Sequence, residues 1–76
     1  MINHPPPSTI RAAMAAIGHT QPAMARDMQH SLRAVESWLA EPGSRSHRPM
    51  HPELFSRYLA KHGLIPGDGS WEDWEG

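Results

Sequence analysis

The chain has 76 residues and no cysteine, 38% of its residues are hydrophobic, and its formal net charge is −1. This length allows one small core, and because neither disulfides nor thiolate zinc sites can reinforce it, dimerisation is the expected support. Residues 1–67 contain all seven Lys and Arg residues and four of the eight acidic residues, so they carry a net +3. A net positive charge suits an anionic partner. The other four acidic residues form an acidic tail.

The first part of the chain predicts an extended arm followed by two short helices. Residues 1–7 include three consecutive prolines, which favour an extended backbone. Apolar residues at helical spacing then predict helix one over residues 9–17 and helix two over residues 21–28. The candidate N-caps are Ser8 or Thr9 for helix one and Thr20 for helix two.

The middle of the chain predicts two further helices separated by a basic loop. Ser31 is a candidate N-cap for helix three, over residues 31–40. Prolines, glycine and serine then break the periodicity. Helix four begins at Pro52 and stops at the Lys-His-Gly sequence that ends at Gly63. Because no alternating strand pattern occurs, the sequence predicts an all-α fold.

Residues 64–76 predict a short acidic tail that contains two tryptophans. The four residues from Ser70 resemble a capping box, so one helical turn would place Trp71 and Trp74 on the same side. Two alternatives remain for these indoles. They either patch the core of their own chain or, together with Tyr58, contact a second copy or another partner.

The segment from Thr20 to Trp38 is the most informative, because it contains a short capped helix, a tight turn and a second capped helix. It resembles the pattern of the phage repressor and Cro-like (XRE-type) helix-turn-helix family at Thr20-Gln21, Met24-Ala25, Met28, Ser31, Val35 and Trp38. Gln29 and His30 depart from that pattern, which has a glycine and a small aliphatic residue there. The resemblance implies a compact four-helix, lambda-repressor-like domain over residues 8–63.

The same resemblance implies a DNA-binding surface centred on helix three. A guanidinium can donate two hydrogen bonds to guanine, so Arg33 is the main candidate for reading a base, with a solvated helix arginine as the alternative. Glu36 either accepts from cytosine or forms an ion pair, and Leu32 contacts a thymine methyl or joins the core. The candidate base contacts are Leu32, Arg33, Glu36 and Ser37, and the candidate phosphate contacts are Gln21, Ser31, Arg45, His47 and Arg48.

Metal binding and catalysis are not expected from the sequence. His47 and His51 are four residues apart, but Pro49 and Pro52 prevent a continuous helix that would bring them to one face. There is no nucleophile motif and no Gly-rich phosphate loop. We therefore do not expect this protein to be an enzyme or to bind a cofactor or a small-molecule ligand. The rival hypothesis is a protein-binding module on the same scaffold, such as a phage-type inhibitor of a host factor.

The sequence and the resemblance together predict a sequence-specific regulator that binds double-stranded DNA. We expect a small homodimeric repressor of phage, prophage or mobile-element type that reads an inverted repeat. No apolar run reaches 18 residues, and the first residues lack the basic and apolar regions of a signal peptide. We therefore expect a cytoplasmic protein with no membrane partner.

Overall fold

The chain folds into four α-helices, as seen in a computed structural model that describes residues 3–74. No strand occurs in this range, so the all-α prediction is confirmed for it. None of the helices described is long and apolar enough to cross a membrane. Four residues of the predicted arm and tail, Met1, Ile2, Glu75 and Gly76, lie outside the described residues. The helices are α1 (Pro7–Ile17), α2 (Gln21–Met28), α3 (Leu32–Leu39) and α4 (Pro52–Lys61), and a 3-10 turn follows at Trp71–Asp73.

Helix α1 begins earlier in the chain than predicted. Pro6 is its N-cap, in an extended conformation (φ −71°, ψ 157°), and Pro7 occupies the first turn. The prediction that Ser8 or Thr9 caps this helix is wrong. A proline already has the φ of a helix and has no amide hydrogen that needs a cap, so the helix begins at the proline. Gly18 ends the helix with φ 86°, in the left-handed region.

Helices α2 and α3 both begin at the predicted N-caps. The Thr20 hydroxyl accepts a hydrogen bond from the amide of Ala23 (3.3 Å), and the Ser31 hydroxyl accepts one from the amide of Ala34 (3.1 Å). Between the helices, Gln29 adopts a left-handed conformation with φ 58° and ψ 39°. It is the one non-glycine residue with positive φ in residues 3–74. A short, conformationally strained turn therefore joins two capped helices.

We predict that Gln29→Gly stabilises the protein. Left-handed geometry costs a residue with a Cβ about 1–2 kcal/mol, and the greater freedom of glycine in the unfolded chain offsets part of the gain, so a net increase of about 0.5–1 kcal/mol is expected. Urea unfolding followed by circular dichroism measures it. Gly18→Ala, at another left-handed position, is the control and should destabilise the protein. A destabilised Gln29→Gly variant would show that the glutamine side chain outweighs the strain.

The core lies where the four helices meet. Helix α3 packs against both α1 and α2, and the 3-10 turn packs against α4. The apolar stripes predicted for the helices supply most of the buried side chains, but Met50 and Ile65, which flank α4, are buried as well. The buried hydrophobic residues are Ile10, Ala13, Met14, Met24, Ala25, Val35, Trp38, Leu39, Met50, Phe55, Tyr58, Leu59 and Ile65.

The two ends of the described chain contact each other. The indole Nε1 of Trp71 donates to the carbonyl oxygen of Asn3 (3.3 Å), and Nδ2 of Asn3 donates to a carboxylate oxygen of Glu72 (3.0 Å). The amide of Trp71 donates to the hydroxyl of Ser56 in α4 (2.9 Å). The 3-10 turn has the capping box that was predicted from Ser70. The proline arm and the acidic tail are therefore joined to each other and to α4.

Candidate nucleic-acid interface

Helix α3 turns one side to the core and the other to solvent. The four residues predicted to contact bases all lie on the solvent side. Leu32, Arg33 and Glu36 are exposed, and Ser37 is half-buried. Because Leu32 is 42% exposed, the alternative that placed it in the core is wrong. Helical periodicity explains the result, since positions 32, 33, 36 and 37 share one side of a helix.

Three arginines converge on a shallow groove between α3 and the loop that follows it, which we call the arginine groove. Arg33 comes from α3, and Arg45 and Arg48 come from the loop. The ion pairs within residues 3–74 both involve Asp27, so no carboxylate of this range neutralises the three arginines. The groove has a volume of about 460 Å³ and is lined by Ser31, Arg33, Ala34, Ser37, Arg45, Ser46 and Arg48. Concentrated positive charge beside hydroxyl groups is suited to a polyanion.

One backbone hydrogen bond holds the basic loop against α3, and further hydrogen bonds form within the loop. The amide of Arg48 donates to the carbonyl oxygen of Ser37 (3.0 Å). The guanidinium of Arg48 donates through Nη1 to the carbonyl oxygens of Arg45 (3.3 Å) and His47 (3.1 Å). The buried side chain of Met50 anchors the end of the loop. These contacts restrict the loop before any ligand binds, so less conformational entropy is lost on binding.

Two predicted phosphate contacts lie apart from the arginine groove. The ring of His47 is half-buried, and its Nδ1 lies 3.0 Å from the carbonyl oxygen of Ala40. Gln21 lines a second depression together with Arg11. No sequence pattern singles out Arg11, but its guanidinium donates to the carbonyl oxygen of Leu39 (2.8 Å) and so binds the negative end of α3.

The residues predicted as partner contacts lie mainly against the core of their own chain. Tyr58 is only 2% exposed, so its side chain is not presented to a partner. It belongs to the inner side of α4, as do Phe55 and Leu59 at helical spacing. Trp71 and Trp74 are half-buried and pack against the same core. Both indoles therefore contact the core of their own chain.

A polar cluster that no sequence pattern predicts joins α2 to the end of α4. Asp27 contacts Nζ of Lys61 (3.1 Å) and Nε2 of His62 (3.0 Å) through different carboxylate oxygens. Burial alone would raise the pKa of Asp27, but the hydrogen bonds and charges of His62 and Lys61 together lower the pKa below its ordinary value. Nearby, the Tyr58 hydroxyl lies 2.6 Å from Nδ1 of His19. Burial, with the negative charge of Asp27, raises the pKa of Tyr58 to about 12.

Comparisons with known proteins give no information about the function of this chain. No protein-family model matches the chain. No curated protein and no solved structure matches it either. What the chain does is therefore inferred from its own geometry and from the sequence pattern between Thr20 and Trp38.

Proposed function

We propose that this chain is a sequence-specific double-stranded DNA-binding regulator of the helix-turn-helix class, with the lambda-repressor-like arrangement that its resemblance to XRE-type proteins implies. In this proposal α2 and α3 are the two helices of the motif, and α3 enters the major groove. A homodimer places two copies of α3 about 34 Å apart on an inverted repeat. The protein then represses transcription by occluding a promoter, in the manner of small repressors of phage, prophage or mobile-element type.

The observation that carries the proposal is the arginine groove beside the exposed side of α3. Arg45 and Arg48 lie on a loop that is suited to follow the phosphates, where contacts give affinity and orientation without reading sequence. Arg33 lies on the exposed side of α3, where its guanidinium can reach guanine O6 and N7. The positive charges that give affinity for DNA therefore lie next to the helix that would read the bases, as a DNA-binding surface requires.

The rival hypothesis of a protein-binding module has less support from its candidate contact residues. Its candidate contacts are Trp71 and Trp74, and both pack against the core. The backbone amide and the indole nitrogen of Trp71 each donate a hydrogen bond within the chain. Partner binding through this indole would have to replace existing contacts, whereas the arginines are exposed and not paired with a carboxylate in residues 3–74.

Selection of bound duplexes from a random DNA pool tests the proposal. We expect a two-fold symmetric site and an affinity that falls steeply as salt increases, because bound phosphates release counterions. Arg33→Ala should weaken binding by roughly 1–3 kcal/mol for each half-site and relax the preference at one base pair in each half-site. Both quantities come from fluorescence anisotropy with the selected duplex and with single-base variants of it.

Arg57→Ala is the matched control for this experiment. It removes the same charge from an exposed position on α4, outside the arginine groove. We expect this variant to keep the sequence preference of the unaltered protein. If no sequence is enriched even at low salt, the proposal is contradicted and the protein-binding module becomes the better hypothesis.

A further inference from the structure

Three side chains that can bind a metal ion meet beside the end of α4. His19 lies in the turn between α1 and α2, Asp27 lies in the last turn of α2, and His62 follows the last residue of α4. One ligand atom from each residue lies within 4.8 Å of the other two. All three residues are half-buried, so the protein holds them in place while solvent still reaches the cluster. We call these three residues the His-Asp-His cluster.

The spacing of the ligand atoms is close to what a small divalent ion needs. Zinc binds imidazole nitrogen and carboxylate oxygen at about 2.0–2.2 Å, which puts tetrahedral ligand atoms roughly 3.4 Å apart. Nε2 of His62 is already 3.0 Å from a carboxylate oxygen of Asp27. The remaining separations, at most 4.8 Å, require only a small inward movement of side chains that are already neighbours.

The surroundings of the cluster orient its ligands. Tyr58 is fixed in the core, and its hydroxyl lies 2.6 Å from Nδ1 of His19, so it restrains that ring. In metal sites, an outer contact of this kind orients a histidine ligand through the ring nitrogen that does not bind the metal. Lys61 contacts the carboxylate oxygen of Asp27 that does not face His62. Its side chain is 58% exposed, and its charge is therefore screened by solvent and can move away.

We infer that His19, Asp27 and His62 form a binding site for a divalent transition-metal ion, with Zn²⁺ as the best-suited ion. Two imidazole nitrogens with one carboxylate oxygen favour zinc over Mg²⁺ and Ca²⁺, which prefer oxygen ligands. Three protein ligands leave one position for water. The bound ion joins the α1–α2 turn to the ends of α2 and α4. The cluster shares no residue with the arginine groove, so this inference is independent of the proposed function.

Calorimetric titration of the chelator-treated protein with ZnCl₂, and separately with MgCl₂, tests the site. We expect one Zn²⁺ per chain and no binding of Mg²⁺. His62→Ala and Asp27→Asn should each weaken zinc binding by more than about 100-fold, beyond the roughly 10- to 100-fold loss typical of an outer contact. Tyr58→Phe, which removes only the hydroxyl, should fall within that smaller range. Circular dichroism shows whether each variant is folded.

His4→Ala is the matched control, because it removes an exposed histidine that is not part of the cluster. It should leave the zinc affinity unchanged. Nuclear magnetic resonance of the unaltered protein gives a test that needs no variant: zinc should shift the ring signals of His19 and His62 but not that of His4. The inference is overturned if zinc does not bind, if binding survives His62→Ala in a folded variant, or if the shifted rings are others.

Discussion

Replacing Arg33, Arg45 and Arg48 together by alanine is expected to lower the affinity for duplex DNA by about 100-fold or more near 50 mM salt. The three guanidinium groups line one groove, and in residues 3–74 none is paired with a carboxylate. Each phosphate contact contributes close to one unit to the slope of log affinity against log salt. Because the proposed homodimer loses two or three contacts in each subunit, the slope should fall by about 4 to 5. Anisotropy titrations at several salt concentrations measure both changes.

The control for the triple variant is Arg26→Ala/Arg57→Ala. These two arginines are exposed but do not line the arginine groove. Removing them lowers the net charge of the chain without changing the groove, so the affinity should fall much less than in the triple variant. If the two variants lose affinity and salt dependence equally, binding follows net charge alone and the groove is not the DNA-binding surface.

Phe55→Ala is expected to remove most of the stability of the fold. Phe55 is completely buried, with its ring centroid 6.4 Å from that of Tyr58 and 6.1 Å from that of Trp71. Truncating a buried phenylalanine to alanine costs about 3–5 kcal/mol, and a domain of this size has a free energy of unfolding of only about 4–11 kcal/mol. Urea unfolding followed by circular dichroism should show a much lower midpoint or no folded baseline.

Leu32→Ala is the control for this truncation. Leu32 is the large hydrophobic residue that α3 leaves exposed, so its removal opens no cavity. The free energy of unfolding should change by less than about 0.5 kcal/mol. A loss below about 1.5 kcal/mol for Phe55→Ala would mean that the neighbouring rings collapse into the space and that the core is more adaptable than its burial indicates.

Helix positions and the exposed side of α3 were predictable because they depend on local signals. The hydroxyls of Thr20 and Ser31 bond to amides only three residues ahead, and apolar residues three or four apart define the buried side. The start of α1 was mispredicted because two local signals compete there. Pro7 and the hydroxyl residues after it are both typical of helix starts. Because the proline comes before the hydroxyl residues, the helix begins at the proline.

Contacts between distant polar residues could not be predicted from the sequence. Asp27 and His62 are 35 residues apart, and His19 and Tyr58 are 39 apart. Polar side chains on separate helices carry no shared periodicity, and whether they meet depends on how the core sets the crossing of the helices. The resemblance assigned each arginine of the groove a phosphate or base contact, but no sequence pattern predicts that the three arginines meet beside Ser31 and Ser37.

The contact between the two ends of the described chain determines the relative positions of polypeptides fused to it. Asn3 binds both Trp71 and Glu72, so the backbone enters and leaves the folded domain at one place. Two proteins fused to opposite ends would therefore be neighbours. A short peptide could also join the ends into a closed ring while each helix kept its position, and such a ring would restrict the unfolded chain far more than the folded one.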